Sequence, residues 1–217
     1  MRSENNFPII GVTGITGSGT STVSAILAER GGYVAHADKL AHDAMAKTEP
    51  AYAEILEAFG QEIVNEKGEI NRRVLGARVF GNKEALARLE KIIHPRVIER
   101  IHTIVDKIAE TGIYTFAVID APLLVESGMS TMCDSVWLIT APDETRIARI
   151  TSRDKIDEIA AKRRLQSRNA EATLREHANI IIENCGSPIA LRSKTETALK
   201  AMSLKIHGWQ GCKVLEI

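Results

Sequence analysis

Aromatic side chains make up only 4% of this chain, cysteine occurs three times, and its positive and negative charges cancel. Each shortage excludes something. Cys133, Cys185 and Cys212 are far apart, odd in number and contain no Cys-x-x-Cys pair, so neither a disulfide framework nor a zinc site is expected. A reducing cytoplasm is the expected compartment. With 28 basic and 28 acidic residues there is no overall field to draw the chain to nucleic acid or to a membrane surface, and neither is an expected partner. No apolar run approaches the ~20 residues of a membrane span. The polar stretch Met1 to Asn6 lacks the apolar segment of a leader peptide. The six histidines show no metal-ligand spacing; His36 and His42 are near one another but have no third partner in sequence. What remains, 44% apolar and 26% charged, suits a globular domain whose 217 residues bury one substantial core, with room for an inserted subdomain.

Glycine is not scarce where it matters. The stretch from Ile9 to Arg30 runs apolar to Thr13, turns through glycines, and becomes amphipathic near Thr20. This is a strand, a loop and a helix in the order that a phosphate-binding loop requires. Gly14, Gly17 and Gly19 allow a tight turn and let backbone N–H groups approach an anion, with Ile15, Thr16 and Ser18 between them. The following helix adds the positive end of its dipole and its unpaired N–H donors. Ser21 stands where a hydroxyl can coordinate Mg²⁺, and Thr22 follows it. The pattern G-x-x-x-x-G-K-[ST] is met except at one place: Thr20 occupies the lysine position. A glycine-rich turn that binds nothing is the plainer alternative.

Taken in order, Val23, Ile26 and Leu27 give a helical period that Gly31 and Gly32 end. Tyr33 to Ala37 reads as a second strand, delivering Asp38 to the edge where ligands gather in open α/β sheets. Asp38 is equally placed to cap a helix beginning at Lys39. Residues 39–111 read as mostly helical, with a stripe from Glu84 to Ile93 stopped by His94-Pro95 and a further helix from Val97 to Glu110. That is too much helix for one crossover, so a helical lobe inserted between strands is expected. Tyr114 to Ile119 is a buried-type strand ending at Asp120, a candidate to hold Mg²⁺ through water or simply to start a turn before Pro122. Ser135 to Thr140 and Asn179 to Glu183 are two more strands, and residues 188–205 a closing helix. Between them lies a charge-rich stretch in which Arg149 and Arg153 share a helical face and could act on a polyphosphate from a closing lid. Charge runs of this kind are otherwise solvated helix faces.

With these pieces in order, the chain resembles the dephospho-coenzyme A kinases, phosphate-loop kinases of the nucleoside-monophosphate-kinase type. The resemblance runs from Ile9 to about residue 200. It rests on Gly11 to Gly14 with Ser21 to Val23, Ala37-Asp38-Lys39, Phe59-Gly60, Asn71 to Leu75, and Val79-Phe80. His94-Pro95, Pro122 to Glu126, Arg149 with Arg153, and Ile182-Glu183-Asn184 with Gly186 complete it. It implies an α/β fold with a five-stranded parallel core, at residues 9–38 and 112–205, between a tail at 1–8 and another at 206–217. It also implies an acceptor-binding helical lobe at 39–111 and a lid at about 146–168. The implied reaction carries the γ-phosphoryl group of ATP, with Mg²⁺, to the ribose 3′-hydroxyl of dephospho-coenzyme A. By position Asp38 matches the acidic residue near that hydroxyl. Arg72, His94, Pro122, Leu123 and Glu126 match acceptor-side residues, Arg149 and Arg153 the lid arginines, and Asn184 falls near the adenine.

The departures are Thr20 for lysine, His36 for the first Asp of Asp-Ala-Asp, Arg146 and Arg168 for Gln, and Asn179 after Ala178 where Ala-Asp is usual. Three readings follow. The chain is a kinase whose missing charge is relocated to Arg146, Arg168 or Lys39; or a non-catalytic relative that binds coenzyme or nucleotide; or a kinase for another small hydroxylated substrate.

Overall fold

The computed structural model describes residues 7–166, 171–206 and 215–217; Arg168 lies outside them. The chain divides into two compact units, one holding the residues up to Val34 and from Ile108 onward, the other Ala35–Lys107.

The first unit is built on a sheet. Its strands are β1 (Ile9–Gly14), β2 (Gly32–His36), β3 (Phe116–Asp120), β4 (Ser135–Thr140), β5 (Ile180–Glu183) and β6 (Leu215–Glu216), in the spatial order β2-β3-β1-β4-β5-β6. All the pairings from β3 across to β6 are parallel. Both faces are covered, which explains why the strands read as continuous apolar runs and not as alternating ones. One face meets α1 (Thr20–Glu29) and α9 (Pro188–Ile206), packing Ile10, Val12, Trp137 and Ile139 against Val23, Leu27, Leu191 and Ala198. The other buries Leu138 and Ile181 against Leu174 of α8 (Glu171–His177). β1 lies between β3 and β4, where successive connections leave in opposite directions, so its carboxyl end opens the crevice in which such sheets hold ligands.

The sheet differs from expectation at its edge. The stretch beyond residue 206 adds a sixth strand among the described residues: Leu215 N–H donates to Asn179 O at 3.0 Å, and Ile217 N–H to Ile181 O at 2.9 Å. A two-residue strand has no periodicity for a sequence to show.

The second unit is helical: α2 (Ala37–Ala44), α3 (Pro50–Phe59), a 3-10 turn at Gln61–Ile63, α4 (Arg72–Val79) and most of α5 (Lys83–Thr111). Two expectations are corrected here. Asp38 does not cap α2; the N-cap position is His36, no side chain caps the helix, and Asp38 lies in its first turn. Pro95 does not end a helix either, because α5 runs through it for 29 residues. A proline in a helix interior costs about 3 kcal/mol in lost hydrogen bonding and steric clash, but the buried stripe Ile93, Val97, Ile101 and Val105 continues across it. Burying each such side chain contributes roughly 1.5–3 kcal/mol, so packing outweighs the break. Arg96 donates to Ile92 O at 3.3 Å, and Arg96 and Arg100 pair with Glu54 and Glu49 to fasten α5 alongside α3. The last turn of α5, from Ile108, belongs to the first unit.

Two further helices precede α8: α6 (Asp143–Asp154) and α7 (Glu158–Gln166). Lys155, with φ of 53°, provides the left-handed residue that stops α6.

Candidate active site

Leaving β1 at Gly14, the chain makes a turn closed by Ser18 N–H on Ile15 O at 3.0 Å, and enters α1 at Thr20. Gly17 and Gly19 have φ of 84° and 101°, which side chains rarely tolerate. Space excludes a side chain at Gly19 as well, since a Cβ there would lie 2.4 Å from Asn184 Nδ2. No side chain caps α1, and its first turn carries no carboxylate. Its leading N–H groups are therefore left open to an anion.

The loop is held from beneath. Arg149 donates to Gly17 O and Ser18 O at 3.4 and 3.2 Å, and to Asn184 O and Oδ1, both at 3.2 Å. Asn184 is 5% exposed and returns its Nδ2 to Ser18 O at 2.8 Å. Its backbone N–H, on Thr140 O at 2.8 Å, hangs it from the end of β4. Arg146 was expected to face the site if it replaced the missing lysine. Instead it is buried, 7% exposed, donating Nε to Thr16 O at 2.9 Å and Nη1 to Asp143 at 2.7 Å.

A cavity of about 590 Å³ opens beside the loop, lined by Gly17, Gly19, Thr20, Ser21 and Thr22 on one side and by Arg149 and Arg153 on the other. These sequence-expected residues therefore share one wall-to-wall space. Gly14 and Ile15 lie at the root of the loop; a Cβ on Gly14 would meet Ile139 O at 2.5 Å and Ser18 Oγ at 2.7 Å. Ser18 Oγ is buried with no hydrogen-bond partner among the described residues. Arg153 reaches the cavity wall but is paired with its neighbour: Nε and Nη2 donate to Asp154 at 2.7 and 3.0 Å. Asp154 also accepts from Arg164 of α7. The Arg153 hydrogen bond, with the charge of both arginines, holds the Asp154 carboxyl below its ordinary value, and the bond to Asp154 in turn raises Arg153. Asp154 is a residue that sequence reading passed over, submerged in a mixed charge run; its one signal is an acid directly following Arg153.

Asp120 ends β3 opposite Val12, and Ala121 N–H donates to Val12 O at 3.1 Å. Beyond it Pro122, Leu123 and Glu126 form a compact turn seated on β1. A Cβ on Gly11 would lie 2.6 Å from Leu124 Cδ2, so that seating needs glycine. Thr13 Oγ1 donates to Pro122 O at 3.4 Å.

Asp38, Arg72 and His94 belong to the second unit. Asp38 is exposed two residues beyond β2, Arg72 opens α4 behind the capping Asn71, whose Oδ1 accepts from Arg73 and Val74 N–H, and His94 is half-buried in α5. Arg72 also borders a second cavity, of about 490 Å³, with His42, Lys47, Lys67 and Glu69. The side-chain nitrogens of Lys47, Lys67 and Arg72 have no hydrogen-bonded or ionic partner among the described residues of that unit.

The loop, its cavity and the parallel sheet form the setting in which comparison with known proteins can be read. The dephospho-CoA kinase family model matches residues 8–189. The chain belongs to that family. A dephospho-CoA kinase from Carboxydothermus hydrogenoformans is 35% identical over 198 residues, spanning 91% of this chain and 96% of the relative. One from Fusobacterium nucleatum is 38% identical over 188 residues, spanning 87% of this chain and 95% of the relative. Among solved structures, a Thermus thermophilus protein superposes with a TM-score of 0.76 at 32% identity, covering 93% of this chain and 99% of that one. The dephospho-CoA kinase from Campylobacter jejuni does so with a TM-score of 0.65 at 29% identity, covering 91% and 98%. An Acinetobacter baumannii shikimate kinase, at 18% identity, 92% and 95% coverage and a TM-score of 0.51, shares the fold of this kinase. No helix among the described residues is long and apolar enough to cross a membrane.

Proposed function

We propose that this kinase transfers the γ-phosphoryl group of ATP to the ribose 3′-hydroxyl of dephospho-coenzyme A. The observation that carries the reading is the cavity between an uncapped helix N-terminus and two α6 arginines. Phosphoryl transfer asks a protein mainly for positioning and for positive charge around the phosphate oxygens. Gly14 to Thr22 supply backbone donors, and Arg149 and Arg153 supply charge. Asn184 serves the nucleotide side by holding Ser18 and Arg149 in place. Thr20 is too short to reach where a lysine ammonium would act, so the arginines carry that charge in this reading.

Mg²⁺ fits the residues present. Ser21, a hydroxyl at the cavity wall, and Asp120, a carboxylate at the end of β3, are the two oxygen donors assigned to Mg²⁺, whose shell phosphates and water would complete. When bound, the ion would neutralise charge developing on the phosphate oxygens. Asp38 is assigned to the acceptor hydroxyl, as base or as orienting group. Arg72, His94, Pro122, Leu123 and Glu126 are assigned to the acceptor, residues 39–111 to its lobe, and about 146–168 to the lid.

The test is turnover of dephospho-coenzyme A with ATP and Mg²⁺, with the phosphorylated position of the product identified by NMR. Rates of ~1–100 s⁻¹ are expected. No turnover, in a protein that still binds dephospho-coenzyme A, would establish the non-catalytic reading that Thr20 favours. Preferred phosphorylation of another hydroxylated substrate would establish the third.

A further inference from the structure

Arg146 is the α6 arginine that the cavity does not account for. It is 7% exposed, whereas its ionic partner Asp143 has a side chain 76% exposed. An ion pair with so exposed a partner can form at the surface and gives no reason to bury a guanidinium, which is costly unless its donors are satisfied. The reason lies in the loop. Arg146 Nε donates to Thr16 O at 2.9 Å. The packing is close, because a Cβ on Gly17 would lie 3.1 and 3.2 Å from the backbone O and the Cβ of Arg146.

The peptide plane converts that contact into a direction. Every described peptide bond is trans, and in a trans peptide the C=O of one residue points opposite to the N–H of the next. Drawing Thr16 C=O down toward α6 therefore turns Gly17 N–H away from α6. Arg149 does the same one peptide on either side of Ser18, since its contacts to Gly17 O and Ser18 O fix the peptides that carry Ser18 N–H and Gly19 N–H. Ser18 N–H closes the turn on Ile15 O, but the N–H groups of Gly17 and Gly19 meet no acceptor among the described residues. Both glycines line the cavity.

We infer that Arg146 is a positioning residue for phosphoryl transfer: by holding the Thr16 carbonyl it fixes the Thr16–Gly17 peptide, and with it the loop that forms one wall of the cavity. It touches no substrate and acts through the loop backbone. Its donor at the Nε position matters more than its charge. This rests on the reading of that cavity as the nucleotide site.

Glutamine tests the distinction, because its Nε2 occupies the same place along the side chain as arginine Nε. Methionine has the length without a donor, and lysine keeps the charge but carries its donor further out. Kinetics would be measured with ATP and with dephospho-coenzyme A varied in turn, alongside calorimetric ADP titration and thermal unfolding. Arg146→Met is expected to lower kcat/KM for ATP ~10–100-fold, on the scale of a small misplacement of reacting groups. ADP binding should weaken about tenfold, with KM for dephospho-coenzyme A within about twofold of its starting value. Arg146→Gln should recover to within about threefold, and Arg146→Lys should not. The inference is overturned if the methionine variant keeps its ADP affinity and ATP kinetics, or if glutamine is as defective as methionine. Should the methionine variant fail to fold, glutamine against lysine decides: glutamine better supports the inference, lysine equal or better overturns it. If the unaltered protein does not turn over, the proposed function fails, while the ADP titrations still decide the role of Arg146.

Discussion

Two cavities among the described residues of this kinase are of similar size, about 590 and 490 Å³, yet their cations are in opposite conditions. Beside the loop, Arg149 is tied to three residues and Arg153 to Asp154. In the helical unit, Lys47, Lys67 and Arg72 border the space without an ionic partner of their own unit. Fixed cations establish a field before any ligand arrives, which is what stabilises charge that develops during a reaction. Unfixed ones lose side-chain freedom on binding but adapt to the ligand. In the proposed reaction the first arrangement would serve the reacting phosphates and the second the anionic acceptor.

The largest effect that could break this contrast is on Arg149. Replacing it with methionine is expected to lower kcat by about 10²–10³-fold, the usual result of removing one preorganised donor, with stopped-flow or steady-state turnover as the measure. A loss confined to KM would mean that its charge is not used in the transition state. Arg72→Ala should give the opposite split: KM for dephospho-coenzyme A rises roughly tenfold, the worth of one charge-assisted contact, while KM for ATP stays unchanged. Equal effects on both substrates would dissolve the distinction between the cavities. Asn184→Ala removes the Nδ2 bond to Ser18 O and the Oδ1 acceptor of Arg149, and should lower stability by about 1–3 kcal/mol in urea titrations. The same substitution at a partnerless polar residue of the helical unit should do far less.

The smallest effect is on acid sensitivity. Asp154 is held below the ordinary carboxylate value, first by its hydrogen bond from Arg153 and then by the charges of Arg153 and Arg164. A group depressed in the folded state contributes fully above its unfolded pKa, about 3.9, and that contribution is lost as pH falls through the lower folded value. Protection from hydrogen exchange at the α6–α7 junction, taken relative to the intrinsic rate at each pH, should therefore be flat down to about pH 4 and fall below it. Asp154→Asn should show the lower protection above about pH 4 and converge with the unaltered protein below it; the absence of a difference at neutral pH would mean that the junction is held by something else.

Much of the fold was legible because its signals are local. The loop glycines, the apolar strands and the capping glycine after α1 each announce themselves within a few residues. What stayed hidden depended on distant partners. Pro95 reads as a stop until the buried stripe on both sides of it is known, and Asp38 reads as a cap until the helix is seen to begin one residue before it. In the site, Arg149 could be placed by its helical spacing and position after a strand. The burial of Arg146 could not, because its acceptor is 130 positions away in sequence. The role of Asp154 was equally hidden, since adjacency to an arginine is common and pairing is a matter of rotamers.

The short strand β6 has a consequence of a different kind. Without it, β5 would be the rim of the sheet and would show unpaired N–H and C=O groups to any passing chain, a template for aggregation. Three residues cover that template: Leu215 and Ile217 pair with β5 and its entry, Glu183 N–H donates back to Ile217 O at 3.2 Å, and Glu216 is held by Arg175 at 3.1 Å. Such a short guard adds little to folding energy and touches no catalytic group. Its loss would show as lowered solubility and shelf life in a protein whose turnover per folded molecule is unchanged.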